Sequence, residues 1–170
     1  SAHLGSCLSC IDILASLYFD VLKIDPTQPE CDERDICILS KGHAAMALYA
    51  VLAAKGFFPP ERLASYNQNG DVLAEHPPAE GVPGVEAATG SLGHGLPIAT
   101  GEALAIKMRN QDRRVFCILS DGETNEGSVW EAALFAAAHG LNNLIVYLDY
   151  NKWQATGRSD DILNVTSHAE

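Results

Sequence analysis

Two short stretches of the sequence carry side chains that could hold a divalent cation. Asp121 and Gly122 follow the apolar run Val115–Leu119, and Asn151 follows the apolar run Leu144–Leu148. Carboxylate and amide oxygens suit Mg²⁺, whose shell is often completed by substrate phosphates. Gly122 lacks a Cβ, so a diphosphate can approach its backbone, and the helix start that follows supplies N–H donors. The pattern indicates a magnesium diphosphate site. On spacing alone, however, a plain Asp-Gly turn and an asparagine helix cap are favoured.

Alternating strand-like and helix-like segments predict the fold that positions these residues. Strands buried on both faces are predicted for three apolar runs without polar alternation, Ile36–Leu39, Val115–Leu119 and Leu144–Leu148. Helices are predicted over about Cys10–Leu22, His43–Lys55, Pro97–Met108 and Ser128–His139, with a shorter one after Pro60. We therefore expect an α/β fold, a three-layer parallel sheet with helices on both faces. Its topology would bring Asp121 and Asn151 to the same edge of the sheet.

Local signals define the ends of some of these elements. Ser9 and Asp12 have capping-box spacing, so the first helix is predicted to open at Cys10. Gly56 is predicted to end the second helix. The stretch 76–95 is rich in Pro and Gly and predicts a long ordered loop, a kind of segment that tends to carry function.

Composition and charge disfavour several classes of partner. The chain has 11 Lys and Arg against 22 Asp and Glu, a formal net charge of −11, which disfavours nucleic acids and anionic membranes. The longest apolar run, Ala44–Ala54, is shorter than the ~20 residues of a membrane-spanning helix. We expect one domain over residues 1–170, cut at both ends from a longer chain. The odd count of five cysteines favours reduced thiols and a cytoplasmic location.

The Asp-Gly pair followed by an asparagine beyond the next strand resembles the thiamine diphosphate motif of transketolases and their relatives. Further matches occur in the family's order and cover nearly the whole chain. They are His3-Leu4-Gly5, Leu8-Ser9-x-x-Asp12-Ile13, Ser40-Lys41-Gly42-His43-Ala44, Glu75-His76-Pro77, Gly84-Val85-Glu86 and Thr89-Gly90-Ser91-Leu92-Gly93-His94-Gly95. The chain is most similar to the N-terminal, diphosphate-binding subunit of a two-chain transketolase. The resemblance implies the thiamine diphosphate-binding fold.

The resemblance also implies a set of cofactor contacts. The side chains of Asp121 and Asn151 and the main-chain carbonyl of Trp153 would bind Mg²⁺. The diphosphate would be held by the Gly122 N–H and by His43. The loop residues Gly90, Leu92 and Gly93 would lie along the aminopyrimidine ring.

Catalytic roles are implied for three histidines and a glutamate. His3 and His76 match histidines of the substrate channel, where a near-neutral pKa suits proton transfer, and His43 would act beside them. Glu126 resembles a glutamate of a carboxylate network between subunits. Without the resemblance, a structural histidine and a solvated glutamate at a helix start would be the ordinary explanations. His139 and His168 match no functional position.

The implied activity is transfer of a two-carbon ketol unit between sugar phosphates, through carbanion chemistry at the thiazolium C2. In the family, a glutamate of the C-terminal, pyrimidine-binding region activates the cofactor, and these 170 residues hold no counterpart to it. We therefore expect a partner subunit in a dimer or heterotetramer, and no turnover by this chain alone.

The sequence departs from the family pattern at three places. Ser120 replaces the first glycine of Gly-Asp-Gly, His94 replaces a common glutamine, and Lys152-Trp153 replaces a glycine and an aliphatic residue.

The alternative functions within the same cofactor class are the α-type chain of a 2-oxo-acid dehydrogenase and a deoxyxylulose-phosphate synthase. An alternative outside that class is a nucleotide-binding protein that uses Asp121 for Mg²⁺, although the chain has neither common glycine-rich nucleotide motif. The last is a non-catalytic, degenerate subunit.

Overall fold

A computed structural model describes residues 3–163, so His168 lies outside the described residues. Its main sheet has three parallel strands in the order β1-β2-β3, formed by Ile36–Leu39, Val115–Ser120 and Leu144–Asp149. Val115 is in register with Ile36 on one side and with Leu144 on the other. The three predicted strands are therefore present, and the last two each extend by one polar residue.

Four main helices connect and cover these strands. Helix α1 spans Leu4–Ser16 and continues as a π-helical turn, Leu17–Val21, while α2, Ala45–Lys55, follows a 3₁₀ turn, Gly42–Ala44. Helix α3 spans Gly95–Met108 and α4 spans Gly127–Ala138. Shorter elements are the 3₁₀ turns Pro60–Ser65 and Gly122–Asn125, the hairpin strands β4 (Trp153–Gln154) and β5 (Gly157–Arg158), and the helical turn α5, Ser159–Ile162.

Side-chain alternation along the strands builds the two outer layers. Cys37 and Phe116 point into the core formed with α1 and α2, whereas Ile36 and Cys117 point into the core formed with α3 and α4. Strands β1 and β2 are buried along their whole length, because helices cover both faces. The fold is the predicted three-layer arrangement of helix, parallel sheet and helix.

Two predictions about local structure are wrong. Helix α1 begins at Leu4, not at Cys10, and Ser9 does not cap it, since the Ser9 Oγ donates to Asp149 Oδ2 and lies 3.0 Å from the Ser6 carbonyl. Strand β3 is not buried on both faces, because Val146, Tyr147 and Leu148 are exposed. Among the described residues β3 is an edge of the sheet, with a neighbour on one side only.

The hydropathy of the helices and the state of the cysteines are relevant to the location of the protein in the cell. One helical stretch of the described residues, Leu4–Val21, is long and apolar enough to cross a membrane by length and composition. That is a weak indication, because core helices pass the same test; in this stretch Cys10 and Leu14 are fully buried, whereas Leu8 and Phe19 are exposed. All five cysteines are free thiols.

Candidate thiamine diphosphate site

A cleft of about 890 Å³ opens where the strands of the main sheet end. Residues that follow all three strands line it, among them His43 after β1, Gly122 after β2 and Asn151 after β3. A parallel sheet places its ligand-binding loops at this edge, because all of its strands point their carboxyl ends the same way. The convergence expected from the sequence is therefore seen in this cleft.

Three histidines from distant parts of the chain meet on one side of the cleft. The ring centroid of His3 lies 5.2 Å from that of His43 and 6.3 Å from that of His76. Partial burial lowers the pKa of His43 to about 4, with further lowering by Lys41 and the two neighbouring histidines. His43 is consequently a neutral imidazole at pH 7, able to donate one N–H and accept at the other nitrogen.

The loop that carries Gly90 and Leu92 packs so closely that side chains are excluded at two glycines. A Cβ added to Gly42 would lie 2.5 Å from the carbonyl carbon of Thr89, and one added to Gly90 would lie 2.6 Å from His76 Cδ2. Thr89 Oγ1 donates to the Leu39 carbonyl at 2.7 Å, which anchors the loop to the end of β1. Both Gly90 and Leu92 line the cleft.

Gly93 is buried and does not line the cleft, and a buried carboxylate holds its backbone. The Gly93 N–H donates to Glu123 Oε1 at 2.9 Å, and the Ser40 hydroxyl donates to the same oxygen. The Ser120 N–H faces Glu123 Oε2 at 3.4 Å. Burial raises the pKa of Glu123 above its usual value, although the Ser40 and Gly93 hydrogen bonds oppose that rise. Glu123 thus joins the ends of β1 and β2 to the Gly93 loop.

The predicted cation ligands occupy different depths. Asn151 and Trp153 line the cleft, whereas Asp121 is fully buried beneath it. Asp121 Oδ2 accepts from the Ser159 hydroxyl at 2.6 Å, but Asp121 Oδ1 is buried and has no hydrogen-bond partner within residues 3–163. Asn151 Oδ1 accepts from the Trp153 N–H at 2.8 Å. A buried carboxylate oxygen without a donor costs free energy, and ligation of a cation would satisfy it.

A buried ion pair that the sequence analysis did not single out lies beside Asn151. Lys41 Nζ contacts Asp149 Oδ2 at 2.5 Å, and the two side chains are 0% and 6% exposed. The Ser9 hydroxyl donates to the same oxygen at 2.6 Å, and Asn151 Nδ2 faces it at 3.4 Å. In the sequence, each of these charged residues stands at the end of an apolar strand, where a charged side chain is buried only if it has a partner. That position is the feature of the sequence from which the ion pair could have been predicted.

Glu126 and the three departures from the family pattern are also located. Glu126 is exposed just before α4 and does not line the cleft. Ser120 lines the cleft, and its hydroxyl accepts from the Glu123 N–H at 3.3 Å. His94 is exposed, with Nδ1 3.0 Å from the Leu92 carbonyl. Lys152 has a φ of 65°, a left-handed conformation that explains why glycine suits this position.

These features fit thiamine diphosphate with a divalent cation. Gly122 lines the cleft without a side chain of its own, and the aliphatic part of Gln154 lies over it, since an added Cβ would be 3.0 Å from Gln154 Cγ. The cleft brings together His43, the backbone of Gly122 and the side chain of Asn151. A cation held by Asp121 Oδ1 would lie near these groups and offset the charge of a diphosphate.

The family follows from comparison with known proteins. A family model described as "Transketolase, thiamine diphosphate binding domain" matches residues 1–169. This chain belongs to that family. It is 46% identical over 160 residues to the 6-deoxy-6-sulfo-D-fructose transketolase subunit SqwG of a Clostridium species, covering 94% of this chain and 58% of that protein. It is 48% identical over 161 residues to an apulose-4-phosphate transketolase subunit from Actinobacillus succinogenes, covering 95% and 58%.

Solved transketolase structures share the fold. The transketolase of Campylobacter jejuni superposes with a TM-score of 0.86 at 32% identity, covering 93% of this chain and 26% of that one. The transketolase of Leishmania mexicana gives a TM-score of 0.84 at 25% identity, covering 99% and 30%. This transketolase-family chain spans about 58% of the length of the two subunits named above.

Proposed function

We propose that this chain is the diphosphate-binding part of a thiamine diphosphate- and Mg²⁺-dependent transketolase. In this proposal Asp121, Asn151 and the Trp153 carbonyl hold Mg²⁺, and His43 with the Gly122 N–H holds the diphosphate. The observation that carries the proposal is the buried Asp121 Oδ1, which has no partner in the described part of the chain and lies beneath a cleft lined by Gly122 and Asn151. Family membership supplies the cofactor class.

The charges around the cleft support a requirement for a cation. Lys41 is buried and paired with Asp149, so it has no free charge for a ligand. His43, with a pKa of about 4, is neutral at pH 7. The chain as a whole carries a formal charge of −11. A diphosphate therefore needs an added positive charge in this cleft, and Mg²⁺ bound to oxygen ligands provides it.

Bound thiamine diphosphate would supply a carbon that stabilises negative charge while a C–C bond of the sugar breaks. The residues of this chain bind and orient the reactants. A neutral His43 can donate one N–H to a phosphate oxygen. His3 and His76, which line the same cleft, would hydrogen-bond to sugar hydroxyls and move protons at those oxygens. Glu123 would keep the loop of Gly90, Leu92 and Gly93 in place through the Gly93 N–H.

We further propose that the substrates are sugar phosphates or similarly anionic sugars. The names of two relatives specify 6-deoxy-6-sulfo-D-fructose and apulose 4-phosphate, and each relative is named as one subunit of its enzyme. A ketose donor and an aldose acceptor of this kind suit transfer of a two-carbon unit. We propose that a C-terminal, pyrimidine-binding subunit completes the site, with Glu126 near the contact in a dimer or heterotetramer. The five free cysteines support a cytoplasmic location.

Calorimetry tests the cofactor part of the proposal. Thiamine diphosphate should bind in the presence of Mg²⁺ and lose most of its affinity when the cation is chelated. Asp121→Asn should weaken this cation-dependent binding. Asp32→Asn, at an exposed acid that precedes β1 and does not line the cleft, should leave it unchanged. Absence of cation-dependent affinity would favour the degenerate subunit, and binding of ATP or GTP instead would favour a nucleotide-binding protein.

A reconstitution assay tests the activity. The chain and a pyrimidine-binding partner should together transfer the ketol unit between sugar phosphates, and neither should do so alone. Ketol transfer by the isolated chain would disprove the need for a partner. Decarboxylation of a 2-oxo acid without ketol transfer would support the dehydrogenase or synthase alternatives.

A further inference from the structure

Ser159 is completely buried although it directly follows an exposed hairpin. Its hydroxyl donates to Asp121 Oδ2 at 2.6 Å. Its N–H donates to the Lys152 carbonyl at 3.0 Å, and its own carbonyl accepts from the Leu163 N–H at 2.9 Å. These three hydrogen bonds fix the side chain and both main-chain groups of Ser159.

The bond from Ser159 makes the two oxygens of Asp121 unequal. Oδ2 is occupied by a short O–H donor, and Oδ1 is buried and has no partner among the described residues. A carboxylate held at one oxygen cannot rotate freely, so its other oxygen keeps a fixed direction. Hydrogen bonds of this kind to a ligating carboxylate orient it and tune its affinity for a metal.

The segment that carries Ser159 also covers the cleft. We define this covering segment as residues 153–162, which comprise β4, β5 and α5. The aliphatic part of Gln154 lies over Gly122, where an added Cβ would be 3.0 Å from Gln154 Cγ. The Trp153 N–H donates to Asn151 Oδ1. The covering segment therefore touches the loops of Asp121 and Asn151, and it carries the third proposed ligand, the Trp153 carbonyl.

We propose that Ser159 is a positioning residue that orients Asp121 for a divalent cation and couples cation binding to the order of the covering segment. The inference rests on the proposed function, since it needs a cation at Asp121. Ser159 acts through Asp121 and touches neither cation nor cofactor. When Asp121 Oδ1 ligates the cation, the Ser159 hydrogen bond holds the covering segment against the end of β2. Loss of that bond weakens both cation binding and the order of the covering segment.

Manganese titration of the complete protein tests the positioning role. Mn²⁺ binds the same oxygen ligands as Mg²⁺ and is detected by electron paramagnetic resonance. The titration is done in the presence of thiamine diphosphate. Ser159→Ala should weaken Mn²⁺ binding by about 10–100-fold. Ser159→Thr keeps the hydroxyl and should restore most of the affinity. Ser65→Ala serves as the control, since the hydroxyl of Ser65 contacts the Arg62 carbonyl and Asp71, and Ser65 does not line the cleft.

Amide hydrogen exchange tests the coupling. In the wild-type protein, Mn²⁺ with thiamine diphosphate should slow exchange in the covering segment, and in Ser159→Ala this slowing should be lost. If Ser159→Ala fails to fold, Ser159→Cys, which keeps a group of similar shape on Cβ but replaces the hydroxyl with a larger and weaker donor, should show the same losses.

The outcomes separate this inference from the proposed function. No Mn²⁺ binding by the wild-type protein would overturn both. Wild-type binding with unchanged affinity and unchanged exchange in Ser159→Ala would overturn the positioning role alone. Equal weakening by Ser159→Ala and Ser159→Thr would also overturn it, because that result would show a requirement for volume and not for a hydroxyl.

Discussion

The buried pair of Lys41 and Asp149 makes the sharpest prediction about stability. Both charges are largely shielded from water, since the side chains are 0% and 6% exposed. Replacing only Lys41 leaves Asp149 with two neutral donors, Ser9 Oγ and Asn151 Nδ2. Replacing only Asp149 leaves the ammonium with the Ser6 carbonyl and Ser9 Oγ. Breaking a buried pair in this way costs about 3–5 kcal/mol.

A double-mutant cycle separates the pair from its surroundings. Lys41→Met and Asp149→Leu should each lower the free energy of unfolding by about 3–5 kcal/mol. The double variant removes both charges and should lose only about 1–2 kcal/mol, because replacing a buried pair with apolar side chains is often nearly neutral and offsets part of the hydrogen bonds lost by the neutral partners. The two single costs would then exceed the double cost by more than about 3 kcal/mol.

Urea unfolding of the complete protein measures these differences, from shifts of the midpoint at unchanged slope. The matched control is Lys107→Met, because exposed Lys107 donates to the carbonyls of His139 and Gly140. Its cost should stay below about 1 kcal/mol. Additive effects of Lys41→Met and Asp149→Leu would refute the reasoning, since they would show that the two charges do not depend on each other in the folded chain.

Four further predictions concern the cleft and its supports. Gly42→Ala should weaken thiamine diphosphate binding about tenfold or more in calorimetry, because its Cβ would lie 2.5 Å from the Thr89 carbonyl carbon; unchanged affinity would contradict that close approach. Gly101→Ala, whose Cβ meets nothing within 4 Å, should instead raise the free energy of unfolding by about 0.5–1 kcal/mol, and a decrease would show hidden crowding in α3. Lys152→Gly should raise it by about 0.5–1 kcal/mol in urea unfolding, since relief of the left-handed φ of 65° exceeds the added entropy of the unfolded chain; a loss would mean that the lysine side chain is needed. The folded pKa of His43, about 4, lies below the unfolded value of about 6.5, so the unfolded chain binds more protons between them and stability should fall as pH drops through that window. His43→Gln should flatten this dependence of the urea midpoint on pH, and equal slopes would argue against the lowered pKa.

The sequence by itself determined the strands, the class of fold and the cation ligands to consider. The runs Ile36–Leu39 and Val115–Leu119 are apolar throughout, and such runs suit a sheet covered on both faces. That assignment placed Asp121 and Asn151 at the ends of neighbouring strands. Motifs along the chain then indicated the family, and the match over residues 1–169 confirms it.

Sequence patterns failed where a side chain has a distant partner. Ser9 looks like a helix cap, but its hydroxyl bonds to Asp149, 140 positions away. Leu144–Leu148 looks like a strand buried on both faces, but its burial depends on what covers the sheet edge, and that is not encoded in the run itself. Local propensity favours an element, while tertiary contacts decide where it begins and which faces water touches.

Only the tertiary structure decided how the candidate site is supported. Lys41 reaches Asp149 across 108 positions, the Ser40 hydroxyl reaches Glu123 across 83, and Ser159 reaches Asp121 across 38. No short motif joins the two members of such a pair, so their spacing carries no signal. The physical reason is burial: once the sheet and helices exclude water, each charged or polar group must find a partner inside the protein. For Asp121 Oδ1 no partner is found among the described residues, and that single oxygen is where we expect the cation.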